Sequence, residues 1–349
     1  MKHVLFCAYP NGKNLDGPRA GWPTLLHLMT ADPMAVPPIT TPITTPMAIS
    51  KSKSDTTRPP ASVGAFCLRL LECGDLSTKL SAPLDDQGRA LPDSQRGPAV
   101  HVERPARGTG LQMQGGSHRL PRPGQLSDPE HRKRCLSRFA HHELMAVELF
   151  AWALLRWPSL PQPLRRGLLS ALVDEQRHCQ LYLARLDAHG GCFHTDDHSD
   201  YFWRQVPLIA ASPAGPRAFL AAVGLTLEQA NLDFTLTYRD GFAEAGDAES
   251  ARVCQLVHDE EIAHVALAAR WIKRLSDLDS SHASETDLDC YLAAVPFPLG
   301  PARAKGRRFE AAPRRRAGLS DALIDHVRQA RSSQERVARP EDPASQKRD

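Results

Sequence analysis

Beyond residue 126 the chain settles into four long stretches in which apolar positions recur every three or four residues, the period of a helix with one buried face. The first is predicted from the string SDPE at 127–130, where Ser127 offers an N-cap, Pro129 enters the first turn and Glu130 holds the capping-box position, to Trp157 ahead of Pro158. The second runs from about Pro163 to Gly190-Gly191, the third from about Pro216 to Gly246, and the fourth from about Asp247 to Asp277. The links between one and two and between three and four are short, which makes antiparallel hairpins. Residues 190–215 form a single long connection. The pattern predicts an all-α protein built as a four-helix bundle with one long crossover over 127–280.

The flanks read differently. Residues 1–60 include PPITTPITTPMAISKSKSDTTRPP, too poor in large apolar groups to offset the entropy of ordering, and are expected to be a disordered leader. In 61–126, VGAFCLRLLECGDLSTKLS has helical spacing at Phe66, Leu68, Leu70 and Leu71 and predicts one short helix closed near Gly74. Residues 82–126 are rich in Pro and Gly and predict an irregular arm on the surface. The extension 281–349 ends in a basic stretch, 13 Lys and Arg against 7 Asp and Glu over 301–349, with one short helix in LSDALIDHVRQAR. A solvated arm is the first reading of it, ahead of a nucleic-acid patch.

Charged residues interrupt the apolar stripes where a core should exclude them. Glu143 falls among Leu136, Phe139, Ala140, Val147, Phe150 and Leu154, whereas Glu148 falls well off that stripe. Glu175 and His178 share a face with Leu168, Leu172 and Tyr182. Glu228 sits among Leu225, Leu232 and Leu236, and Glu261 and His264 among Val257, Val265 and Ala268. The intervals are 32 residues from Glu143 to Glu175 and 33 from Glu228 to Glu261, as in a duplicated helix pair whose halves each give one Glu and then one Glu-x-x-His. Four inward carboxylates cannot stay ionised in an apolar core without cations. Two divalent irons would supply four positive charges, and four carboxylates with two imidazoles form the donor set of carboxylate-bridged metal pairs in helix bundles.

Composition narrows the setting. The net charge of +3 makes no overall case for nucleic-acid or membrane partners. The eight cysteines show no Cys-x-x-Cys and follow no recognisable export segment, and the chain has no uninterrupted apolar stretch of membrane-spanning length. A cytoplasmic protein with reduced thiols and no membrane partner is the expectation.

Asp-Glu-x-Arg-His at 174–178 is similar to a motif of bacterial di-iron oxygenases and ribonucleotide reductase small subunits. AFCLRLLECGD, LPRPGQLSDP, FAHHELMAVELFAWALLRWP, SALVDEQRHCQLYLARL and YFW together resemble an uncharacterised bacterial ferritin-like family, number four hundred and fifty-five among domains of unknown function, over about 62–330. The resemblance implies a ferritin-like bundle with Glu143, Glu175, His178, Glu228, Glu261 and His264 as metal ligands. It also implies that Asp174 orients an imidazole across the bundle, with Arg177 and Glu260 beside it. In the second half Glu260 stands where Asp would be and Ala263 replaces Arg, which leaves a pairing of Glu260 with His264 at i+4 as an alternative.

The leading expectation is a non-haem di-iron oxidoreductase of the oxygenase or hydroxylase type, with two Fe ions or an Fe/Mn pair. It would use dioxygen and an external electron donor on an unknown organic substrate. A bacterial transfer-RNA hydroxylase of ferritin-like fold is the nearest analogue, and with the basic tail it admits RNA as a weakly supported partner. The alternatives are an iron-handling protein, a ferroxidase or peroxide scavenger, and a metal-free helical scaffold. The absence of a Cys-x-x-Cys module and the extensions at both ends weigh against iron handling.

Overall fold

The computed structural model describes residues 59–94, 96–115, 119–279 and 285–331. Apart from Pro59 and Pro60, the expected leader 1–60 lies outside the described residues. The helices are α1 (Val63–Glu72), α2 (Leu76–Lys79), α3 (Pro129–Arg156), α4 (Gln162–Ala188), α5 (Val206–Ala211), α6 (Pro216–Phe219), α7 (Gln229–Glu244), α8 (Ala248–Asp279), α9 (Asp287–Ala294), α10 (Ala311–Arg316) and α11 (Asp321–Gln329). A π-helical segment, Leu220–Glu228, joins α6 to α7. Two-residue strands β1 (Met113–Gln114) and β2 (His198–Ser199) pair in parallel and tie the arm to the long connection. The protein is all-α in character.

Local chemistry sets the boundaries. The predicted N-cap of α3 moves one residue: Asp128, not Ser127, accepts from the Glu130 N–H at 2.8 Å. Pro129 occupies the first helical position and holds the residue before it in extended conformation, so the cap is Asp128. The short helix expected to close near Gly74 ends at Glu72, and α2 follows as a separate turn because the Asp75 carboxylate takes the Thr78 N–H at 3.1 Å and the Cys73 thiol at 2.7 Å, a local alternative to continuing α1. Between α7 and α8 the chain reverses at Gly246, φ +77°, with Asp247 N–H bonded to Phe242 C=O at 2.8 Å. Only a residue free to adopt positive φ closes so short a link.

α3 packs along α4, the π segment and α7 pack along α8, and α4 touches α8, while α1 lies on α3. Two apolar clusters fill the interior. One includes Met145–Leu155, Leu164–Leu172, Phe219–Leu227 and Val265–Leu275; the other includes Leu136–Leu144, Cys179–Leu186, Tyr238, Phe242 and Cys254–Val257. On α3, α4 and α8 the passage from one cluster to the other falls at Glu143, Glu175–His178 and Glu261. The acidic residues therefore divide the core.

The C-terminal extension is more structured than the one short helix expected of it. α9 and α10 precede α11, and Arg314 is buried in a two-pronged ion pair with Asp233 of α7, at 2.8 and 2.9 Å. The Gly306 and Glu310 N–H groups also donate to Asp233, both at 2.9 Å. Part of the basic run thus pins the extension to the helices. Among the described residues no helix is long and apolar enough to cross a membrane, and the seven cysteines described are free thiols.

Candidate metal centre

The structure brings together all six side chains that helical spacing singles out. Glu143 comes from α3, Glu175 and His178 from α4, Glu228 from the end of the π segment, and Glu261 and His264 from α8; none is more than 5% exposed. Their donor atoms form two overlapping groups, Glu143–Glu175–His178–Glu261 and Glu175–Glu228–Glu261–His264, each spanning at most 4.8 Å. Glu175 and Glu261 belong to both. These buried groups could hold a metal ion.

The inward atoms support that reading chemically. His264 Nδ1 lies 3.0 Å from Glu175 Oε1 and 3.3 Å from Glu261 Oε2, and His178 Nδ1 lies 3.4 Å from Glu175 Oε2. These approaches lack hydrogen-bond alignment. Both Glu175 oxygens, Glu261 Oε2 and the two Nδ1 atoms are buried without a hydrogen-bond partner. An orphaned buried polar atom costs about 1–3 kcal/mol, and these five, shared between the two donor groups, are suited to hold a cation.

Glu228 owes its position to irregularity. A π-helical turn carries more residues than an α-turn, and such turns collect at functional sites. Thr226 Oγ1 donates to Ala221 C=O, five residues back, at 2.8 Å and also meets the Tyr291 hydroxyl at 2.9 Å. Gly224 lets this segment close on α8, because a Cβ there would fall 2.3 Å from Ala268 Cβ. A periodicity analysis at 3.6 residues per turn carries no signal for the π segment.

Each imidazole turns its other nitrogen to a carboxylate on the opposite helix. His178 Nε2 meets Glu260 Oε2 at 2.8 Å, and His264 Nε2 meets Asp174 Oδ2 at 3.4 Å. Glu260 thus serves His178 across the interface, not His264 on its own helix, which removes the i+4 alternative. Arg177 lies 3.4 Å from Asp174 and also contacts Glu260, bracing both carboxylates. Asn231 Nδ2 donates to Glu261 Oε1 at 3.1 Å, a contact the sequence did not reveal. Phe150 turns its edge to His264, and Phe139 packs on Tyr182 and Tyr238, so both apolar clusters flanking the acidic residues carry aromatic rings.

The electrostatics describe a site that holds protons when metal-free. Burial, and then the charges of Glu175 and Glu261, push Glu143 well above the ordinary carboxylate range; burial, Glu261 and Glu175 do the same for Glu228. Burial alone would lower the His178 pKa, but Glu175 and the bond to Glu260 push it up to about 9. His264 rises well above its usual value against burial, through Asp174, Glu175 and Glu261. Burial opposes ionisation of Glu175, yet the two imidazoles hold it below the usual range. Four protons on Glu143, Glu228, His178 and His264 carry the same charge as two divalent cations.

Sequence reasoning set Glu148 aside as off the stripe. It is fully buried and bonds Lys79 Nζ at 2.8 Å, Arg107 Nη2 at 2.7 Å and Trp203 Nε1 at 2.9 Å. Lys79 belongs to α2, Arg107 to the arm and Trp203 to the long connection. This network fixes the irregular segments to α3 one turn beyond Glu143. No local pattern announces it, because its partners lie 41 residues or more away in sequence.

The family model described as Protein of unknown function (DUF455) matches residues 76–325. The chain belongs to this family. The match takes in the arm, all six clustered residues and the first half of α11, and leaves α1 outside. Neither the comparison with curated proteins nor that with solved structures finds a match.

Proposed function

We propose that the protein is a ferritin-like non-haem di-iron oxidoreductase, in which a four-helix bundle with one long crossover holds two iron ions and dioxygen is used to hydroxylate or oxidise an organic substrate. The observation that carries this reading is the pair of overlapping donor groups sharing Glu175 and Glu261, with five buried donor atoms lacking partners. Glu143 and His178 would serve one ion, Glu228 and His264 the other, and Glu175 and Glu261 both. Four carboxylates and two imidazoles suit iron, or iron with manganese. When bound, such a pair supplies electrons to dioxygen, so the reaction also needs an external donor. Asp174 and Glu260 hold the imidazoles in the orientation that turns Nδ1 inward, and Arg177 holds those carboxylates. Phe150 from one apolar cluster and Phe139 and Tyr182 from the other exclude water from the flanks of the site.

A second reading, iron handling, draws support from one feature. Asp174 and Glu260 are about a third exposed, 34% and 33%, and form an acidic approach from solvent to the histidine side of the cluster. A hydrated cation would favour such a route. Anaerobic addition of ferrous ion followed by dioxygen tests both readings. The oxidoreductase reading expects saturation at two irons per chain, with a change in the near-ultraviolet absorption on oxidation. Oxidation of many irons per chain would favour iron handling, and failure to retain iron would overturn both.

A further inference from the structure

The arginine run 314–316 is divided three ways by the fold. Arg314 is buried against Asp233, and Arg315 pairs with Asp321 at 2.8 Å on the surface. Arg316 instead lines a groove of about 740 Å³ between α8, the start of α9 and the turn from α10 into α11. Across the groove α8 presents Arg270, Lys273 and Arg274, at i, i+3 and i+4. All four cations are exposed, and among the described residues none of them takes part in an ion pair. Like charges at this spacing destabilise a helix. The helix dipole does not account for them either, since its effect is confined to the last turn, where α8 carries no basic residue. The groove has two acidic side chains, but Asp287 is committed to Ser320, accepting from its N–H at 2.8 Å and its hydroxyl at 2.5 Å. Four cations therefore face two carboxylates, of which only Asp277 is not already engaged by Ser320.

We propose that this groove binds a polyphosphate group, such as that of a nucleoside triphosphate. Its volume lies in the range of small-molecule sites. Cations on two opposing walls suit a ligand with several anionic groups, which a single inorganic anion would not bridge. No exposed ring lines the groove, and Trp271 is buried with the Arg274 guanidinium 5.3 Å from its ring. Recognition would thus rest on phosphate contacts. Lys273 lies nine positions after His264, two and a half turns along α8, so the groove occupies the helix face turned away from the acidic cluster. The proposal is independent of the metal reading.

The test is calorimetric titration of the full-length chain with tripolyphosphate at physiological salt. Saturable binding at one site per chain is expected, weakened roughly 30-fold or more in the triple variant R270A/K273A/R316A. The control variant R89A/R252A/R328A, which removes exposed cations elsewhere, should bind within about twofold of the parent. Equal melting temperatures of parent and triple variant would show that the loss is not one of folding. Absence of saturable binding, or an equal loss in the control, would overturn the proposal. So would capture of a single-stranded RNA oligomer that tripolyphosphate fails to displace.

Discussion

Replacing Glu228 by Gln should stabilise the metal-free protein at neutral pH while removing one of its metal ions. Burial, followed by the charges of Glu261 and Glu175, keeps a proton on Glu228 well above the 4.5 at which an unperturbed Glu releases it. A group whose folded pKa is raised gives stability that is complete below the unfolded pKa and is lost as pH rises toward the folded one. Each proton held only by the folded state costs about 1.4 kcal/mol per pH unit. From the unfolded value upward, until pH reaches the raised folded value, Glu228 therefore removes up to about 1.4 kcal/mol of stability per pH unit. Glu143 acts in the same direction, and the raised pKa values of His178 and His264 add to the slope above the unfolded imidazole value of 6.5. Glutamine keeps the size and a hydrogen-bond donor toward Glu261 but has no proton to lose. Urea unfolding with chelator present at several pH values measures this. The variant should lose up to one proton, about 1.4 kcal/mol per pH unit, from the wild-type pH slope and exceed wild-type stability at pH 7.5. An unchanged slope, or a less stable variant, would show that Glu228 is an ionised structural residue, and the charge argument for the centre would fail with it.

Three further outcomes are expected. Glu260→Ala, which removes the partner of His178 Nε2, should weaken metal affinity roughly 10–100-fold with little change in apo stability, read by competition with a chromophoric chelator. Glu148→Ala leaves Lys79 and Arg107 buried without their anion and should cost about 3–5 kcal/mol in urea unfolding; a loss under 1 kcal/mol would mean that water replaces the carboxylate. Gly224→Ala places a Cβ 2.3 Å from that of Ala268. It should cost about 1–3 kcal/mol and be largely relieved by A268G in a double-mutant cycle, whereas simple additivity would refute the close-approach argument.

The all-α class and the residues of the candidate centre were legible in the sequence, because a helix puts positions three and four apart on one face whatever the rest of the chain does. That is why Glu175 with His178, and Glu261 with His264, stand out against their apolar neighbours. Helix ends were legible to within a residue or two, and the shift of the α3 cap to Asp128 shows how a following proline decides between adjacent capping candidates. Contacts between distant segments were not legible. Glu260 had two candidate histidines, and the choice of His178 was made by how α4 and α8 face each other, 82 residues apart in sequence. Glu148 falls off the apolar stripe of α3, and only the docking of Lys79, Arg107 and Trp203 buries it. The π segment that carries Glu228 depends on Gly224 meeting Ala268 and on Thr226 meeting Tyr291, contacts that exist only once the helices have docked. The run 314–316 likewise reads in sequence as part of a solvated basic arm, and the fold makes of it a buried clamp, a surface ion pair and one wall of a groove. Periodicity is a property of a few neighbouring residues, so the sequence alone could determine which side chains face inward. Which of them meet is fixed by packing between segments, and only the tertiary structure decided it.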